Sequence, residues 1–177
     1  MMEKRFSASR AQSGAALVVS LLMLTVLTML GVSAMQSTIL QEKMAGNYRN
    51  RNLAFNAAET ALRDAERYIA ANISADSPFT TTCASGLCLP SSTGTPVWEN
   101  IDWSDAGNVL TYGVGGGGTI AGISSNPTMI IEILDELPQS NSLEAGVVFE
   151  SNLYRITARG VGGTDSAVVI LQETLKN

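Results

Sequence analysis

The sequence predicts an α+β protein in which one long N-terminal helix packs on a C-terminal antiparallel sheet. Three observations carry this. No residue from Ala11 to Gln41 is charged. Helical spacing of apolar residues continues past that run to Ile69. All five prolines, and every glycine except Gly14, Gly31 and Gly46, lie in residues 74–177, where β-branched runs alternate with turn residues. A length of 177 residues suits one modest domain with an appendage.

Charge divides the chain in the same places. Residues 1–14 carry a net +2, residues 15–35 none, residues 36–73 a net +1, and residues 74–177 three basic groups against eleven acidic ones. The chain therefore reads as a basic leader (1–14), a membrane-compatible half-helix (15–35), an amphipathic half-helix (36–73) and an acidic β-rich globule (74–177). A pI near 4.7 gives no long-range attraction for phosphates, so no nucleic acid partner is expected. The chain contains no histidine. That removes the commonest general base, the Ser-His and Cys-His pairs and every imidazole metal site. No catalytic pair emerges elsewhere, so the expectation is a protein that is not an enzyme and carries no cofactor.

Ala15 to Met35 is a run of 21 residues dominated by Leu, Val, Met and Ala. At a rise of about 1.5 Å per residue it forms a helix of roughly 31 Å, enough to cross a bilayer core. Lys4, Arg5 and Arg10 precede it and the acidic bulk follows, which places the N-terminus in the cytoplasm and the globule outside. A buried helix of a soluble protein would need a larger core than this chain can build. A secretory signal peptide would use Val32-Ser33-Ala34 as its cleavage site, behind a rather long apolar stretch. The other boundary lies at the front, where a short basic leader ends in Gly14 directly before Ala15. Cleavage there leaves the apolar helix on the mature protein.

The segment beyond Met35 favours retention of that helix. Met44, Tyr48, Phe55, Ala58, Leu62, Ala65 and Ile69 recur at helical steps, widened by Ala54, Ala57 and Ala61. Glu59 and Arg63 stand four apart as a helical ion pair. No proline precedes Pro78, so one helix from Ala15 to about Asn72 is expected, with Gly31 and Gly46 as its flexible points. Tyr48, Phe55 and Leu62 are expected to pack into the core against the sheet.

Here the residues carry a family resemblance. The leader ending at Gly14, the start Ala15-Ala-Leu-Val-Val19, and the run from Gly31 through Leu40-Gln-Glu-Lys-Met-Ala-Gly-Asn47 to Leu53-Ala-Phe-Asn-Ala-Ala-Glu59 resemble minor pilins of the PilX type from Gram-negative type IV pili. Tyr154 to Gly160 and Val168 to Gln172 resemble them more loosely. The resemblance implies a type IV pilin-like fold. It also implies cleavage by a prepilin peptidase between Gly14 and Ala15, N-methylation of Ala15, and storage in the inner membrane with a periplasmic globule. An inner-membrane assembly platform would then extract the subunit into a pilus of major and other minor pilins at the cell surface. Roles in pilus initiation, adhesion and twitching motility follow from the same resemblance.

One departure is informative. Most pilins carry Glu as the fifth residue after the cut, where it can neutralise the N-terminal ammonium of a neighbouring subunit. Here that position is Val19. A subunit without this acid suits the fibre tip, as tip-type pseudopilins of type II secretion do. Such a pseudopilin is one alternative reading, and a non-polymerising membrane-anchored or secreted binding protein is the other.

In the globule, residues 128–134, 146–149, 153–158 and 167–175 read as strands. Tyr154, Ile156 and Ala158 alternate with Arg155, Thr157 and Arg159, and residues 160–165 turn into the last strand. Cys83 and Cys88 bracket four residues; export favours a local disulfide, while zinc would need more ligands than two. Gly113-Val-Gly-Gly-Gly-Gly118 matches dinucleotide-fingerprint spacing without the strand and helix that motif requires, so a flexible loop is expected. Asp102, Asp105, Asp135 and Glu136 offer oxygens to calcium without EF-hand spacing, and solvated surface acids are the favoured reading.

Overall fold

Helix-forming Ala, Leu, Met and Glu, with no proline before Pro78, produce α1, which spans Ser13–Asn72 in the computed structural model. The structure describes residues 13–74, 76–92, 94–138 and 150–177. The helix closes with Ile73 N–H donating to Ile69 O at 3.1 Å and the Asn72 amide donating to Tyr68 O at 3.3 Å. The remaining elements are β1 (Leu87–Cys88), α2 (Val97–Asn100), β2 (Leu110–Thr111), β3 (Thr128–Pro138), β4 (Glu150–Val161) and β5 (Val168–Lys176). The chain divides into two units between Gly46 and Asn47.

The described part of the first unit is helix alone, and its apolar side chains from Leu17 to Met44 are exposed. In the second unit the lower part of α1 packs on a five-stranded sheet of order β1-β3-β4-β5, with β2 also paired to β3. Strands β3, β4 and β5 are antiparallel, with Ile131 opposite Ile156 and Ala158 opposite Leu171. A bulge between Ile133 and Asp135 shifts the β3 register. The α+β architecture expected from the sequence is present, but the sheet is mixed rather than purely antiparallel. Its exception is β1, which enters from the Cys83–Cys88 loop in the same direction as β3 and pairs Leu87 with Ile131 and Cys88 with Glu132. The expected strand at 146–149 lies outside the described residues.

Alternation sorts the sheet residues. Met129, Ile131, Tyr154, Ile156 and Ala158 join Ala61, Leu62, Ala65 and Ile69 of α1 in the main core. On the opposite face Ile130 packs with Cys83, Cys88 and Val109, flanked by Trp98 and Trp103.

The helix buries a different stripe from the one its large residues suggested. Leu62 is buried as expected, but Tyr48 is 73% and Phe55 43% exposed, and Ala54, Ala57, Ala58 and Ala61 take the interface. Close approach of backbones is the cause. A Cβ on Gly160 of β4 would stand 2.6 Å from Ala58 N and closer still to Ala54 O, so helix and strand touch main chain to main chain. Only alanines fit that seam, and the aromatic residues are turned onto the helix flank.

Candidate assembly surface and anchoring contacts

Gly14 and Ala15 lie in the first turn of α1, and Val19 stands one turn further on with its side chain 56% exposed. The apolar half of α1 is long and apolar enough to cross a membrane. Its hydroxyls are compatible with that. Ser20 donates to Leu17 O at 2.9 Å, Thr25 to Leu22 O at 2.8 Å, Thr28 to Thr25 O at 2.8 Å and Thr38 to Ala34 O at 3.2 Å. These four hydroxyls are satisfied inside the helix, so neither lipid nor a neighbouring apolar helix has to supply them a partner. No side chain in this half presents a charge, so its favourable contacts are apolar packing alone.

The globule is tied to the helix by a contact the sequence pattern did not reveal. Asp64 is fully buried on α1, and its carboxylate is wrapped by the glycine run. Gly113 N–H donates to Oδ2 at 2.7 Å, Gly115 N–H to Oδ2 at 3.2 Å and Gly117 N–H to Oδ1 at 2.9 Å, with Arg67 donating to Oδ1 at 3.1 Å. Burial alone would raise the Asp64 pKa. The bonds from Gly113, Arg67, Gly115 and Gly117 outweigh it and hold the carboxyl below its ordinary value of 3.8. The expected flexible loop is thus a shaped receptor, a concave array of backbone donors of the kind that binds anions. Two of its glycines are required by space: a Cβ on Gly115 would come 2.8 Å from Asp64 Oδ1, and one on Gly117 would come 2.6 Å from the Tyr112 ring.

Cys83 and Cys88 form the expected disulfide, both buried. The bridged turn leans on the next loop, with Ser85 N–H donating to Gly107 O at 2.7 Å. Gly86, at φ +73°, has no room for a Cβ against Leu110. Asp102 accepts from the Ser104 hydroxyl and N–H, bonds that lower its pKa, and Asp105 accepts from Gly107 N–H and the Asn108 amide. Both carboxylates thus shape their own loop. The side chains of Asp135 and Glu136 lie outside the described residues. Among the described residues no group of three or more Cys, Asp or Glu side chains converges to hold a metal ion.

Two further carboxyls are perturbed upward. Glu132, opposite Cys88 and Arg155, is 1% exposed; burial raises its pKa, the Arg155 charge offsets this only in part, and its Oε2 has no hydrogen-bond partner. Glu173 on β5 is raised by burial and by the hydrogen bond and charge of Glu66 on α1, with Arg63 opposing.

A single apolar N-terminal helix whose lower part becomes the spine of a mixed-sheet head defines a pilin-like α+β protein. Two family descriptions match the chain: PilX N-terminal over residues 13–63, and type IV pilus assembly protein PilX C-term over residues 84–177. The chain belongs to the PilX family of type IV pilus assembly proteins. No curated protein and no solved structure matches it.

Proposed function

We propose that this chain is a minor pilin that acts in pilus initiation at the fibre tip. A prepilin peptidase removes residues 1–14, and the new amine of Ala15 is methylated. The apolar half-helix, residues 15–35, holds the subunit in the inner membrane with the N-terminus cytoplasmic and the globule periplasmic, and later packs among the helices of other pilins. Its work is structural rather than catalytic, and its partners are the peptidase, the assembly platform and other pilins.

The observation that carries this reading is the exposed, charge-free face of α1 with Val19 in place of an acid. Lipid and a bundle of apolar helices are equivalent surroundings for that face. At Val19, however, the subunit has no carboxylate to offset the desolvation of a neighbour's ammonium, a cost of several kcal/mol. That neighbour is therefore better stabilised by another subunit, and this one best occupies the end of the fibre. Adhesion and twitching would then depend on this subunit through the fibres it helps to start.

Deleting the gene and counting surface pili tests the initiating role, with few or no fibres expected and normal numbers contradicting it. Immunogold labelling tests the position: label at fibre ends is expected, and even labelling along the shaft refutes tip placement.

A further inference from the structure

Residues 74–177 contain only three basic side chains, Arg155, Arg159 and Lys176, against eleven acidic ones. The fold gathers all three on one surface. Tyr154, Ile156 and Ala158 point from β4 into the helix-facing core, so Arg155 and Arg159 lie on the opposite face. Their partners across β5, Thr174 and Ile170, share that face, as does Lys176 opposite Leu153. Two acids of β3 fall in register with this group: the buried Glu132 opposite Arg155, whose guanidinium stands 3.9 Å from it, and Asp135 opposite Leu153. Residues 83–110 cover this face over β3, so the three basic side chains are concentrated on its β4–β5 part.

That face ends at an open sheet edge. Among the described residues β5 is hydrogen-bonded to β4 alone, through nine consecutive register pairs without a bulge. It contains no proline, and Val168 and Ile170 are 39% and 37% exposed on its outer face. Edge strands are blunted by proline, bulges, short length or charge; β5 lacks the first three, and its charges are Lys176 at one end and the inward Glu173. An unpaired row of backbone donors and acceptors beside a β-branched, basic surface is a template for strand addition.

We propose that the β5 edge receives an extended acidic segment of a partner protein, added as a further strand with its carboxylates over Arg155, Arg159 and Lys176. A second copy of this chain is the poorer occupant. Antiparallel pairing of two β5 strands about a two-fold axis perpendicular to the sheet would join the two basic faces on one side, setting like charges together. An acidic strand instead satisfies the backbone edge and the cations at once. This face belongs to the globule and is the same wherever the subunit sits in a fibre.

The test uses the full chain in detergent micelles and three labelled peptides: Val-Glu repeated four times, Val-Lys repeated four times, and the Val-Glu peptide with prolines at two central valines. Fluorescence anisotropy at low ionic strength should give binding of the first peptide at least roughly tenfold tighter than of either other. The double substitution Arg159→Glu with Lys176→Glu should remove that preference while circular dichroism stays unchanged. Equal binding of the Val-Lys peptide overturns the charge assignment. Undiminished binding of the proline peptide overturns strand addition in favour of a general polyanion surface, and cross-linking between copies through Gln172→Cys that blocks the acidic peptide would assign the edge to self-association.

Discussion

Replacing Asp64 by alanine removes a carboxylate that joins α1 to the glycine loop. Three backbone donors lose their acceptor, at 2.7, 3.2 and 2.9 Å in the native protein. Hydrogen bonds to a charged acceptor contribute about 1.5–3 kcal/mol each, but the loop glycines lie near solvent and regain water once released. Counting about 1 kcal/mol for each of the three gives a loss of about 3 kcal/mol. The Arg67 contact adds little, because that side chain is 55% exposed. Trp98 and Trp103, packed against the second core cluster, report unfolding of this unit by fluorescence in a denaturant titration of the full chain in micelles. Amide exchange at Gly113, Gly115 and Gly117 should accelerate well before global unfolding. The pH dependence has a defined sign. Because folding lowers the Asp64 pKa, the wild type's advantage over Asp64→Asn is complete above the ordinary value of 3.8 and disappears as pH falls through the lower folded value. A loss under about 0.5 kcal/mol, or unchanged exchange at the three glycines, would refute the anchoring role, since changes of that size are typical of unengaged surface sites.

Cys83→Ser with Cys88→Ser should cost about 2 kcal/mol by loop-closure entropy, seen as a lower denaturation midpoint that added reductant no longer changes. Gly160→Ala should destabilise by about 1–3 kcal/mol through overpacking against α1, whereas Gly118→Ala, with no atom within 4 Å of the new Cβ, should leave the same titration unchanged. Folding raises the Glu173 pKa above 4.5, so its ionisation opposes stability as pH rises through the folded value. Glu173→Gln should therefore be more stable than wild type at pH 7 and lose that advantage in acid, read from thermal unfolding at the two pH values.

The sequence made the large elements legible where a local signal repeats. The uncharged run and helical spacing gave α1 through to its end at Asn72. The alternation of Tyr154, Ile156 and Ala158 identified the buried face of β4, and the close cysteines gave the disulfide. What it concealed depends on contacts between distant residues. Tyr48 and Phe55 followed the helical period yet lie outside, because Gly160 draws the helix backbone so close that only alanine fits between. Asp64 and Gly113 are 49 residues apart, so neither the buried acid nor the purpose of the glycines is visible locally. The spacing of Gly113, Gly115 and Gly117 was the available signal: alternate glycines can turn successive N–H groups toward one anion. Strand β1 is two residues long, too short for any periodic pattern, and only its two pairings, Leu87 with Ile131 and Cys88 with Glu132, show that it runs parallel to β3.

A pilus subunit has to keep its apolar helix after losing its leader. Mass spectrometry of the N-terminus, on protein recovered from membranes and from sheared surface fibres, reads this directly. A chain beginning at Ala15 with a methylated amine, present in both fractions, is the predicted result. A chain beginning at Met35 would mark a secreted protein, and one still beginning at Met1 a plain membrane anchor; either contradicts processing into a pilus subunit.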